Sequence, residues 1–104
     1  MLPQVVGFDW DRGNTEKCRS HGVTVGDIEA LFGRPISVFP APGRSFSEER
    51  YKAIGTNADG RYIFLVFTLR KRAGEVLIRP ISARFMHAKE IRHYEEETAK
   101  AQKR

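Results

Sequence analysis

The stretch that decides the fold is YIFLVFTLRKRAGEVLIRPISARF, Tyr62 to Phe85. Tyr62 to Leu69 is a near-continuous run of apolar, β-rich residues, which predicts a strand covered on both faces and therefore central in its sheet. RKRAG, Arg70 to Gly74, supplies a hairpin connection, and Val76 to Ser82 returns as an antiparallel neighbour. Pro80 has no N–H to give to a ladder, so the returning strand is an edge there or carries a bulge. Side chains alternate along a strand, which puts Arg79 on the face of Leu77 and Ile81, where a guanidinium is either paired or turned to a ligand.

Upstream of this hairpin, Tyr51 to Thr56 reads as another strand, joined to it by the turn NADG, Asn57 to Gly60. Ile36 to Phe39 is a further strand. Between them PAPGRSFSEE, Pro40 to Glu49, combines proline, glycine and serine with few apolar anchors and predicts a mobile loop. Two helices precede these strands. Asp11 can cap one that runs to about Ser20 and closes at Gly22. Thr24 and Asp27 form a capping box for the next, in which Val25, Ile28, Leu31 and Phe32 recur at helical spacing until Gly33-Arg34-Pro35 stops it. Val5 to Phe8 is a short opening strand. Downstream, the pattern turns helical from about Met86, with Ile91 and Tyr94 on one face and His87 and Glu90 at capping-box spacing. The charged end, residues 96–104, is expected to fray. The whole predicts an α+β fold: a small antiparallel β-sheet, a meander, with two N-terminal helices and one C-terminal helix. A length of 104 residues fits one domain, 1–104, with one modest core.

Composition removes several classes. With 30% charged residues and no long apolar run, the chain is not membrane-embedded, and its first residues lack the basic start and greasy centre of a signal peptide. A cytoplasmic protein is expected. A single cysteine, Cys18, excludes an internal disulfide and reads as a buried structural thiol. The net charge of +5 is unevenly spread. Lys+Arg against Asp+Glu is 7 and 8 over residues 1–60, 6 and 1 over 61–84, and 5 and 4 over 85–104. The excess therefore comes from Arg61, Arg70, Lys71, Arg72, Arg79 and Arg84. Such a stretch either solubilises a surface or attracts phosphate backbones, and the near absence of acids from it favours a polyanion.

Catalytic motifs are few. The three histidines, His21, His87 and His93, lack metal-ligand spacing, and no phosphate-cradling glycine loop, dinucleotide fingerprint or serine-hydrolase elbow is present. No metal and no cofactor is expected. What remains is metal-free RNA cleavage: a base for the 2′-hydroxyl, an acid for the leaving 5′-oxygen, and guanidinium groups for the charged phosphorane. Arg70, Arg79 and Arg84 suit phosphate and transition-state charge, or are ordinary ion-pair partners. His21, His87 and Glu90 are the acid–base candidates. Their structural alternatives are a C-cap histidine for His21, an N-cap for His87 and a capping carboxylate for Glu90. Arg61, Lys71 and Arg72 are candidate RNA contacts, and Tyr94 either stacks on a base or packs in the core.

The sequence also resembles a known family. FDWD (Phe8 to Asp11), the series Gly13, Asn14, Lys17, Cys18, His21, Gly22 and Val23, then Glu49-Arg50, Gly55, Gly60-Arg61, Thr68 with Arg70, and above all IRPISARFMHxKEIxxY (Ile78 to Tyr94) are similar to the BrnT family. The resemblance spans roughly Val5 to Glu96. It departs from the family at Ser20, where many members carry lysine, at Pro80, where isoleucine is usual, and at His87, often threonine. It implies an endoribonuclease toxin of a type II toxin–antitoxin pair with RelE-like architecture. It also implies inhibition of translation, and neutralisation by a ribbon-helix-helix antitoxin, BrnA, through which the complex binds operator DNA. A catalytically silent module that binds nucleic acid or antitoxin through the same basic face is the rival expectation.

Overall fold

A computed structural model describes residues 4–41 and 49–102 of the chain. Its elements run β1 (Gly7–Phe8), α1 (Arg12–Arg19), α2 (Val25–Leu31), β2 (Ser37–Pro40), β3 (Tyr51–Thr56), β4 (Tyr62–Arg72), β5 (Glu75–Phe85) and α3 (Ala88–Gln102). Both expected N-terminal caps are present. The Asp11 carboxylate accepts from the Asn14 backbone N–H while the Asn14 side chain accepts from Asp11 N–H, and Thr24 and Asp27 make the same reciprocal pair. Gly22, at φ +84°, closes the turn after α1, a backbone region that other residues enter at a cost. No helix among the described residues is long and apolar enough to cross a membrane.

The strands form one sheet in the order β1-β5-β4-β3-β2, with β4 in the centre as its apolar run predicts. The pairs from β2 to β5 are antiparallel, giving the expected meander. The sheet as a whole is mixed, because β1 lies parallel to β5, with Gly7 opposite Leu77 and Phe8 opposite Ile78. A parallel neighbour needs a long crossover, and here everything between β1 and β5 supplies it. The opening strand is shorter than the expected Val5 to Phe8, since only these two residues pair.

The central hairpin is longer than its apolar stretches suggest. β4 continues to Arg72 and β5 starts at Glu75, which leaves Ala73-Gly74 as a two-residue turn with φ of 53° and 80°. Positive φ at both positions matches the twist of the flanking strands. Helix α3 runs on through Gln102, so the described part of the charged end, residues 96–102, is helical. Most of the expected loop Pro40 to Glu49 lies outside the described residues.

Burial on β4 alternates. Ile63, Leu65 and Phe67 are fully buried, while Tyr62, Phe64 and Val66 are half-buried. The buried set meets Ala53, Ile78 and Ala83 from the sheet and Cys18, Val23, Ile28 and Leu31 from the helical segment, which makes this the core face. Each of the valine, isoleucine, leucine and phenylalanine side chains in this set contributes about 1.5–3 kcal/mol on burial. Phe32 sits edge-on to both Phe8 and Phe67, tying α2 to the sheet. The other face is covered only in part, by α3: Tyr94 packs edge-on against Tyr62 and its hydroxyl hydrogen-bonds Ser37.

Candidate active site

Pro80 creates the site's geometry. Val66 pairs with Ser82 but Phe67 pairs with Pro80, so Ile81 is a bulge residue, one of the two outcomes that a proline in this strand allows. The extra residue changes the parity of β5: Ile78 and Pro80 are buried before it, Ala83 after it. Arg79 therefore shares the open face with Leu77, but beyond the bulge this face passes to Ser82 and Arg84, not to Ile81 as simple alternation predicts. Five residues apart on a regular strand, Arg79 and Arg84 would point to opposite sides. Arg70, opposite Leu77, belongs to the same face.

Each arginine is held differently. Arg84 donates to both Glu90 oxygens at 2.8 and 2.7 Å, and its guanidinium lies 5.0 Å from the Phe64 ring centroid. The same Glu90 accepts from the His87 backbone N–H at 2.9 Å, so His87 is the N-cap residue and Glu90 the capping carboxylate of α3. The Arg84 hydrogen bonds, followed by the His87 N–H, push the Glu90 pKa down to about 2. Arg79 lies against the start of α1. Its Nη2 is 2.7 Å from Asp11 and its Nη1 3.5 Å from Asp9, and Asp9 also meets Arg72 at 3.1 Å. The Asn14 N–H bond and then Arg79 hold the Asp11 carboxyl below its usual range. Asn14 Nδ2 donates to the Pro80 carbonyl at 2.8 Å, which fastens α1 to the β5 edge just where β1 has ended.

Three cavities gather these groups. One of about 230 Å³ is lined by His21, Phe64, Val66, Ser82, Ala83 and Arg84. His21 reaches it because α1 ends at Arg19 and the chain turns through Ser20 and Gly22 beside β5. A second, of about 520 Å³, has Arg70 and Arg79 in its wall, with Asp11, Arg12, Lys17 and Arg50. A third, more apolar, of about 420 Å³, lies between α3 and the sheet, where Phe39, Ile54, Phe64 and Tyr94 line it with Glu90.

The predicted residues thus fall into two groups on one face: His21 with Arg84 and its partner Glu90, and Arg70 with Arg79. His87 stands exposed at the α3 cap and lines none of these cavities. Lys71 and Arg72 end β4 beside the hairpin turn, and Arg61 lies at the opposite end of that strand with its guanidinium 3.6 Å from the Phe85 ring centroid. Tyr94 packs between α3 and the sheet. Cys18 is buried, and burial raises its pKa. Arg12, Lys17 and Arg50 were not anticipated from the basic 61–84 segment, since the acids of residues 1–60 mask them in any charge count. Alternation could have flagged Arg50, two residues before Lys52 and so in phase with the open face of β3. Among the described residues no three His, Cys, Asp or Glu side chains cluster as metal ligands would.

Comparison with known proteins gives one consistent result. A family model described as a ribonuclease toxin, BrnT, of type II toxin–antitoxin system matches residues 10–90, and no curated protein matches the chain.

Proposed function

The chain belongs to the BrnT family of ribonuclease toxins of type II toxin–antitoxin systems, and from that premise we propose that the open face of its sheet is where it cleaves RNA. The observation that carries this reading is the joint lining of one cavity by His21 and Arg84, an imidazole and a guanidinium at one end of a basic face. In this mechanism the 2′-hydroxyl of the RNA attacks the adjacent phosphorus as a base takes its proton. The P–O5′ bond then breaks as an acid protonates the leaving oxygen, leaving a 2′,3′-cyclic phosphate and a 5′-hydroxyl. The reaction needs no metal ion: Arg84 meets the charge that grows on the phosphorane, with Arg79 and Arg70 further along the strand path.

His21 and His87 are the proton carriers. One shares the cavity with Arg84, and the other opens α3 three residues after it. Glu90, with a pKa of about 2, is too weak a base at neutral pH to take the hydroxyl proton efficiently, so its role is to hold Arg84 in place. Arg61, Lys71 and Arg72 extend the RNA surface, while Tyr94 holds α3 on the sheet. The whole chain acts as one toxin domain in the cytoplasm. Membership in a toxin–antitoxin family implies an antitoxin partner. A BrnA-like ribbon-helix-helix protein that carries the complex to operator DNA fits this role.

One observation favours the rival reading, a silent binding module: Arg79 and Arg84 already have carboxylate partners without any RNA. Incubating the purified protein with RNA in EDTA separates the two. Discrete fragments with cyclic-phosphate ends support the enzyme. Intact RNA under conditions where it binds supports the module, and magnesium-dependent fragments with 5′-phosphates contradict the mechanism.

A further inference from the structure

Among the described residues, Arg12, Lys17, Arg50, Arg70 and Arg79 line the cavity of about 520 Å³ at the start of α1 together with the carboxylate of Asp11. That carboxylate is engaged twice already, by the Asn14 N–H at 3.0 Å and by Arg79 at 2.7 Å. Arg79 is therefore fixed in direction by Asp11 and Asp9, and its side chain is 21% exposed. Among the described residues Arg12 pairs with Glu16 along the helix surface, both side chains being largely exposed, an arrangement that an entering anion displaces at little cost. The volume is of the order that holds part of a polymer or a small ligand. Arg12 and Lys17 on one side of the cavity and Arg79 on the other suit a phosphodiester better than a neutral or cationic group.

The cavity neighbours the proposed cleavage centre along β5, where Pro80 and Ile81 line the one and Ser82, Ala83 and Arg84 the other. Arg79 and Arg84 lie on the same open face, and five residues of strand amount to about 15 Å. We propose that this cavity is a second phosphate subsite, which grips a phosphodiester of the same single-stranded RNA some nucleotides away from the scissile bond, through Arg12 and Lys17 on one side and Arg79 on the other. This inference rests on the reading of the open face as the RNA surface. It deepens that reading by naming the substrate: a single-stranded RNA long enough to reach both cavities, not a dinucleotide.

The test uses a hexaribonucleotide blocked against cleavage by 2′-O-methyl groups, in which one phosphodiester at a time is replaced by a neutral methylphosphonate. Affinity is read by fluorescence anisotropy for the full chain and for the Arg12→Ala/Lys17→Ala double variant, whose substitutions lie on the exposed surface of α1. For the unaltered protein, neutralising one particular phosphate should weaken binding about fivefold, the scale of an exposed charge pair. In the double variant that same replacement should have no effect, while replacements elsewhere keep theirs. Equal losses in both proteins at every position, or no position-specific loss, would overturn the subsite, and so would an absence of RNA binding. If cleavable RNA is cut but no coupling is found, the subsite falls and the ribonuclease reading stands. Coupling without cleavage leaves the subsite standing and removes the catalytic reading. Unchanged RNA affinity together with weakened binding of an acidic antitoxin peptide by the double variant would reassign the cavity to that partner, against this proposal.

Discussion

Arg84 and Glu90 face one another through two parallel hydrogen bonds of 2.8 and 2.7 Å, and the same carboxylate caps the first turn of α3. The last strand and the last helix are thereby joined at the residue that is proposed to meet the scissile phosphate. Any change at Glu90 should act on stability through the cap and on activity through the direction of Arg84.

The pH dependence follows from the low Glu90 pKa. Its carboxyl is lowered from 4.5 to about 2 by Arg84 and by the His87 N–H, so its contribution to stability is fully present above 4.5 and is lost as the pH falls through about 2. Urea unfolding of the native chain and of Glu90→Gln, followed by Trp10 fluorescence, should show the native chain more stable at neutral pH. That difference should shrink between pH 4.5 and 2. A pH-independent gap would mean that the ion pair does not form.

Arg79 offers a sharper division between catalysis and scaffold. Arg79→Ala should lower cleavage of a long single-stranded RNA about fivefold with the fold retained, since Arg79 is proposed to grip a phosphodiester away from the scissile bond and an exposed charge pair contributes up to about 1 kcal/mol. Circular dichroism must accompany the assay, because the substitution leaves nearly buried Asp9 with Arg72 as its remaining ion-pair partner. A folded variant with an unchanged rate would take Arg79 out of the site.

The core makes its own prediction at Gly55. A Cβ there would stand 2.6 Å from Ile36 Cγ2 and 3.2 Å from Leu31 Cδ2, a clash between β3 and the α2 to β2 connection. Gly55→Ala should therefore cost about 1–3 kcal/mol of stability, measured by thermal or urea unfolding. A neutral effect would show that α2 can retreat from the sheet more easily than the packing of Leu31 suggests.

Much of this architecture could be read from local chemistry. Tyr51–Thr56 carries its β pattern and its turn in sequence, and the caps at Asp11 and Thr24 are local side chain to backbone pairs, which adjacent residues determine by themselves. The opening strand is legible at Val5 to Phe8, but its partner and parallel direction are not, because pairing with a strand some seventy positions away leaves no periodic trace. The site was half legible. Pro80 announced a bulge, but the consequence of a bulge is a change of parity, and only pairing against β4 determines which residue is left over. That parity decides whether Arg79 and Arg84 look the same way. Arg12, Lys17 and Arg50 enter the same cavity as Arg70 and Arg79 through tertiary packing, from a region whose net charge is near zero in sequence.

The most direct measurement of the central claim is single-turnover cleavage of a short single-stranded RNA in EDTA by the native chain and by folded His21→Ala and Arg84→Ala variants, with Glu29→Ala on the exposed side of α2 as the control. The account predicts metal-free cleavage by the native chain and by the control, and a loss of tenfold or more for each of the two cavity variants. Cleavage by both cavity variants at the native rate would contradict it.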